Sequence, residues 1–265
     1  MKPLVVLLLL FCSCQLSAQD TEPGENSKLI NQLPPITETE EMSSKWNLDF
    51  EVTFVSRFIW RGLRLGEYTS IQPSFTLSRA NFFTGIWASH ALALTVPANS
   101  TPNDYKEIVP YVGYSFKVAP KSSLTLLALG HYNPNVGGFF NYTREGEAIP
   151  LTNRVELRTL FNAGKFDFVG AADVINDPSG NVSIYLEFGY TITMPREVKL
   201  RPVVSLTPSD NFYTIDGKAD VTQIGVITSK AFSFTDKLSL AAKVDMIYNP
   251  DRDDFYSAFG LTAKF

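Results

Sequence analysis

From Trp46 to Arg61 apolar and polar residues take turns along the chain. Trp46, Leu48, Phe50, Val52, Phe54, Phe58 and Trp60 share one parity, and Asn47, Asp49, Glu51, Thr53, Arg57 and Arg61 share the other. A period of two sends these sets to opposite faces of a strand, whereas a helix would scatter them around its circumference. The pattern recurs. Ile108, Val112, Tyr114 and Phe116 oppose Glu107, Tyr111, Ser115 and Lys117, and Val155, Leu157, Thr159 and Phe161 oppose Arg154, Glu156 and Arg158. Phe166, Phe168 and Val174 oppose Asp167 and Asp173, and Val182 to Ile192 alternate against Ser183, Tyr185, Glu187 and Thr191. Leu238, Leu240, Val244, Met246 and Tyr248 oppose Ser239, Lys243 and Asp245. With weaker alternation near 69–78, 82–93, 123–133, 198–206, 221–231 and 255–265, the chain predicts twelve strands.

The connections separate a barrel from a sandwich. Every second one is tight: Arg79-Ala80-Asn81, Ala119-Pro120-Lys121-Ser122, Asn162-Ala163-Gly164-Lys165, Met194-Pro195-Arg196-Glu197 and Phe234-Thr235-Asp236-Lys237. The intervening ones are longer, notably 94–104, 134–150 and 207–218. Outer-membrane barrels show this asymmetry together with an even strand count. In hydrocarbon every backbone N–H and C=O must pair internally, so a spanning sheet must close. Residues 46–265 are therefore expected to form an all-β, transmembrane up-and-down antiparallel β-barrel of about 12 strands. Trp46 and Trp60, on one face, are expected roughly 35 Å apart at about 40° tilt, bracketing the ~25 Å apolar band. Pro73, Pro110 and Pro202 each remove a ladder donor and predict local bulges.

Both ends of the chain bear on location. Phe255, Phe259, Leu261 and Phe265 share a parity, and the sequence ends on Phe265. A terminal aromatic on an alternating strand resembles the signal read by the outer-membrane barrel assembly machinery, which makes Phe265, Leu261 and Phe259 its candidate residues. At the other end, Lys2 precedes the apolar run Leu4–Phe11, and Ser17-Ala18-Gln19 follows before the acids begin at Asp20. That order predicts a cleaved signal peptide over 1–19. The run is too short for a transmembrane helix, which needs roughly 20 residues. Cys12 and Cys14 both fall inside the predicted signal peptide, so the mature chain is expected to lack a disulfide framework, a thiol nucleophile and a Cys-based zinc site. Acylation of Cys14 is the competing reading. Residues 20–45 hold six acids against Lys28 and Lys45 and predict a flexible acidic periplasmic leader. The expected location is the bacterial cell outer membrane, with its lipids and the barrel assembly machinery as partners.

Composition agrees with that class. Aromatic residues make up 13% and charged residues only 19%, against about a quarter charged in ordinary soluble domains. Beyond the leader segments the charge is near neutral, which argues against a nucleic-acid partner. No later apolar stretch reaches the ~18 residues of a membrane helix.

The segments Ser56-Arg57-Phe58-Ile59-Trp60-Arg61-Gly62, Ile71-Gln72-Pro73-Ser74 and Gly85-Ile86-Trp87-Ala88-Ser89 resemble the TorF-type family of bacterial outer-membrane porins, over about residues 50–115. Arg57 departs from that family's pattern. The resemblance implies a barrel and passage of small solutes, without naming a cargo.

Candidate chemistry is sparse. Only His90 and His131 are present. Ser89 and His90 are adjacent, hence on opposite faces of a strand, and cannot form a nucleophile–base pair. His131 shares parity with Leu127 and Leu129. No catalytic residue, metal site or cofactor is expected, and the chain is read as a non-enzyme. The polar-parity residues Arg57, Arg61, Glu107, Lys117, Arg154, Glu156, Arg158, Asp173, Glu187, Lys199, Arg201, Lys243 and Asp245 are the candidate pore-lining set. Facing inward, they either line a narrow pore for small solutes and set its selectivity, or pair across the lumen and plug it, leaving a structural barrel. A third possibility is binding through the extracellular loops 94–104 and 134–150, with Asp251, Asp253 and Asp254 as a solvated turn or a cation site.

Overall fold

A computed structural model describes residues 45–92, 105–134, 153–233, 235 and 238–265. The expected signal peptide, nearly all of the acidic leader, and most of loops 94–104 and 134–150 lie outside the described residues. The strands, in chain order, are β1 (Asn47–Val55), β2 (Phe58–Trp60), β3 (Leu63–Gly66), β4 (Ser70–Arg79), β5 (Phe82–Ala91), β6 (Lys106–Ala119), β7 (Ser122–His131) and β8 (Arg154–Ala163). They continue as β9 (Phe166–Ile175), β10 (Ile184–Tyr190), β11 (Ile192–Thr193), β12 (Lys199–Thr207), β13 (Asp220–Ser233), β14 (Ser239–Asn249) and β15 (Asp254–Lys264). Twelve of them close into one antiparallel barrel in the order β1, β4 to β10, β12 to β15 and back to β1. The short β11 prolongs β10 beside β12. The remaining two, β2 and β3, form a separate hairpin.

The alternation sorts the barrel inside out relative to a soluble protein. Each barrel strand turns at least one large apolar side chain outward and leaves it exposed: Leu48, Phe75, Ile86, Val112, Leu126, Leu157, Val174, Phe188, Val204, Ile224, Met246 and Phe259. The opposite parity buries Glu51, Gln72, Glu107, Arg154, Glu156, Arg158, Asp167, Asp173 and Arg201 inside. The seam is closed by β15 on β1, with Phe54 opposite Leu261. Phe265 donates its N–H to the carbonyl of Phe50 at 3.0 Å. Its ring stacks outside on Phe50, which stacks in turn on Phe75, with centroids 5.6 and 4.5 Å apart.

Three expectations need correction. The first strand does not run on to Trp60. It ends at Val55, and after Ser56 the chain bends into the lumen as the β2–β3 hairpin, so Trp60 is buried inside and is no girdle residue on the lipid face. The prolines produce gaps in the ladder instead of bulges. The β4–β5 pairing skips from Ile71 to Ser74 with its register unchanged. Pro110 likewise leaves a gap on its β7 side, between the Ile108–Tyr132 bridge and the pairing at Tyr111. Pro202 separates β10 from β11 along β12. A strand proline lacks one donor, and that donor would have faced one neighbour only, so the other ladder continues through it. Register shifts fall elsewhere, at Phe58/Ile59, Lys117/Ala119, Val155/Glu156 and Ser205/Leu206. Lastly, strand pairing of the 182–192 segment begins at Ile184.

Candidate functional site

The hairpin's turn is Arg61-Gly62, with φ of 53° and 78°. Two successive positive values give the mirror-image turn whose twist suits a two-residue hairpin. Glycine is required at the second place for a further reason: a Cβ there would sit 2.0 Å from the Thr222 carbonyl oxygen on β13. The Gly62 carbonyl accepts a hydrogen bond from Asn249 Nδ2 on β14 at 2.9 Å. On the far side of the same turn, Arg61 reaches Glu156 on β8 (Nη2 to Oε1, 2.8 Å) and hydrogen-bonds the Tyr213 hydroxyl. The tip thus crosses the lumen from the β13–β14 wall to the β8 wall.

Phe58 and Trp60 of the hairpin pack toward β5 and β7, while Ile59 packs against Tyr256 and Ala258 of β15. Phe58 meets Trp87 and Tyr105, with ring centroids 5.8 and 5.4 Å away, and Trp60 meets His131 at 6.2 Å. From above, Phe212 and Tyr213 of the 208–219 loop close over Trp60 at 6.3 and 5.7 Å. This apolar packing excludes water from the charges beside it.

Those charges form one web. Glu156 Oε1 accepts from Arg61 and from Arg158 Nε at 2.6 Å, while its Oε2 faces His131 Nε2 at 3.2 Å. His131 Nδ1 lies 2.7 Å from Glu107, so one ring nitrogen faces each carboxylate. Arg154 Nε donates to Asp173 at 2.8 Å, and Asp173 also accepts from the Tyr213 hydroxyl at 2.8 Å. The Arg61 and Glu156 side chains are 1% and 0% exposed. Charges so desolvated are tolerated only when fully paired, and here each one is. Ligand atoms of His131, Glu156 and Asp173 come within 4.8 Å of one another, but Arg61, Arg154 and Arg158 already occupy the positions from which a metal cation would be held.

A second web lies nearer the short-turn end. Arg201 on β12 bridges Asp167 on β9 and Glu187 on β10, with Nη2 2.8 Å from Glu187 Oε1. The pair crosses in front of Gly189, where a Cβ would stand 2.4 Å from Arg201 Nε. On β14, β15 and β1 the lumen is wetter. Lys243 pairs with Asp245 at 2.9 Å, and Lys264 lies 3.5 Å from Asp49 and 3.4 Å from Glu51.

The candidate set therefore divides. Glu107, Arg154, Glu156, Arg158 and Asp173 come together, with Glu187 and Arg201 in the second web and Lys243 and Asp245 on the wetter wall. Arg61 joins the first web from the hairpin and not from the wall. Arg57 is half-buried at the bend into the hairpin, Lys117 is exposed just before its strand's register shift, and Lys199 is half-buried at the short-turn end. Asp49, Glu51, Asp167 and His131 were missed as lumenal partners, although all four carry inward parity. Trp60, Tyr185 and Tyr213 were missed too; Tyr213 sits in a loop where no periodicity could point to it. Ser89 is buried on the inside, accepting from Gln72 at 3.3 Å, while His90 is exposed outside, so these two do not meet. Asp251, Asp253 and Asp254 each accept a hydrogen bond, from Ile215 N, Tyr248 and Tyr256 respectively, and do not converge.

No family model matches the chain, and no curated protein matches it. Among solved structures it is similar to outer membrane phospholipase A from Escherichia coli, at 12% identity over 84% of this chain and 98% of that chain, with a TM-score of 0.38. Salmonella typhi outer membrane phospholipase matches at 13% identity over 82% and 89%, TM-score 0.39. The outer membrane channel DcaP of Acinetobacter baumannii matches at 10% identity over 84% and 97%, TM-score 0.31.

Proposed function

We propose that this chain is an outer-membrane channel for small solutes whose lumen is held closed, at rest, by the β2–β3 hairpin. One observation carries the membrane assignment: all twelve barrel strands expose large apolar side chains outward while charges fill the interior. Water would penalise that exterior by about 25 cal/mol per Å² of apolar surface, and hydrocarbon would not. The closed strand order leaves no unpaired edge for lipid to meet. On this reading the outward residues Phe259, Leu261 and Phe265 serve the assembly machinery, and the TorF-type resemblance at Trp60-Arg61-Gly62 falls on the hairpin turn itself.

The alternative is a permanently plugged structural barrel, favoured by the completeness of the ion pairing around Glu156. Planar-bilayer recording separates the two. The intact protein should conduct rarely and in brief events, and deletion of Phe58–Leu65 should give sustained openings. Steady conductance by the intact protein would overturn closure by the hairpin. A silent deletion variant that still shifts on unboiled denaturing gels would establish the structural barrel instead. Recovery of the native protein as a soluble periplasmic species would overturn the membrane reading altogether.

A further inference from the structure

Arg61 is held the way a bound ligand is held. Its guanidinium lies over the rings of Trp60 and Tyr185, with Cζ 4.6 and 4.5 Å from their centroids, and 5.5 Å from that of Tyr213. One terminal nitrogen meets Glu156 and the other the Tyr213 hydroxyl, which is anchored in turn by Asp173. Aromatic faces with a carboxylate at the edge are the chemistry that recognises a planar cation. A compact ammonium has three donors on a point charge and would not bridge Glu156 and Tyr213 while stacking. Of these groups, Glu156, Asp173 and Tyr185 belong to the barrel wall and Tyr213 to the loop above it; only Trp60 travels with the hairpin. When the hairpin leaves, the wall keeps a carboxylate and a tyrosine face that had been complemented by a guanidinium.

We propose that the lumen wall contains a binding site for guanidinium-bearing solutes, occupied at rest by the chain's own Arg61, and that such solutes are the class the channel admits by competing with it. The inference rests on the channel reading. A ligand that binds only the hairpin-out state stabilises that state by mass action, so a competing cation would open the channel while a non-binder would not.

The probe is methylguanidinium at millimolar concentration, with methylammonium as control. In planar bilayers it should raise the opening frequency of the intact protein several-fold, and methylammonium should leave it unchanged. Arg61→Ala should lower the melting temperature, and methylguanidinium should restore at least half of the loss. That rescue should vanish when Glu156→Gln is added. If Arg61→Ala does not assemble, Arg61→Lys keeps a cation at the turn and the same probe should raise its melting temperature. Sustained openings of the Phe58–Leu65 deletion, combined with no response to methylguanidinium in any arm, would overturn this inference and leave the channel reading intact. Equal responses to methylammonium would overturn the guanidinium assignment. A silent deletion variant would remove the channel reading, and this inference with it.

Discussion

Two walls of one barrel, built from the same alternation, hold their charges differently. On β6 to β9 the acids and arginines of the first web are dry, packed beside Phe58, Trp60, Phe212 and Tyr213, with Arg61 on Glu156 and Arg154 on Asp173. On β14, β15 and β1 the inward Lys243, Asp245, Lys264 and Asp49 keep side-chain exposures of 19%, 13%, 25% and 22%. The strand pattern does not distinguish these walls. The hairpin does, because Phe58 and Trp60 pack beside the charges of one wall, whereas on the other Ile59 packs against Tyr256 and Ala258 of β15. Inward charges of the same parity are therefore strongly coupled on one wall and weakly coupled on the other.

This contrast should be visible in stability. Glu156→Ala leaves Arg61, Arg158 and His131 facing a vacated carboxylate. Breaking one partner of a buried pair costs about 3–5 kcal/mol, so denaturant unfolding in detergent should show a loss of that size. A loss under 1 kcal/mol would mean the web is hydrated after all. Gly62→Ala comes next. It places a Cβ against the Thr222 carbonyl and requires a positive φ, for which a non-glycine residue costs on the order of 1–3 kcal/mol before the clash is counted. The hairpin tip should detach, and brief channel openings should accompany the lower melting temperature. Lys243→Met on the wetter wall should cost only ~0–1 kcal/mol, because a partly solvated pair gains little.

Accessibility sharpens the comparison without touching a charge. Single cysteines in place of Leu129 and Thr262 both face inward, yet a water-soluble thiol reagent should label position 262 quickly and position 129 slowly. Deleting Phe58–Leu65 should bring the two rates together. The smallest effect is expected at Lys218→Ala: its partner Asp216 lies in the 208–219 loop, both are exposed, and the melting temperature should not move.

Much of this architecture could be read from residue order because a strand's two faces follow from period two alone. The inward placement of Arg154, Glu156 and Arg158 needed nothing more. The hairpin was misread because Phe58 and Trp60 continue the parity of Phe54, and Arg-Gly is not one of the usual Asn-Gly or Asp-Gly turn pairs. A signal was nevertheless present. Apolar residues sit on even numbers through Trp60 and on odd numbers at Leu63 and Leu65, and a two-residue turn makes that switch. The count of strands came out at twelve for a related reason: losing Trp60 from the first strand shortened it without removing it. Which charges pair with which was not legible, since that depends on sequence-distant strands brought together by closure, and on Tyr213, whose loop has no period.

The seam between β1 and β15 has a consequence for how the molecule comes into being. Thr53 and Thr262 share a hydrogen bond across 209 residues of sequence. Contacts of such separation form last, because loop-closure entropy must be met before they return anything. Until β15 arrives, the sheet has two bare edges, each a template for a neighbouring chain. Closure is then a single late event that converts an aggregation-prone curved sheet into an object with no edge at all, and the Phe265–Phe50–Phe75 stack lies across the line where it happens.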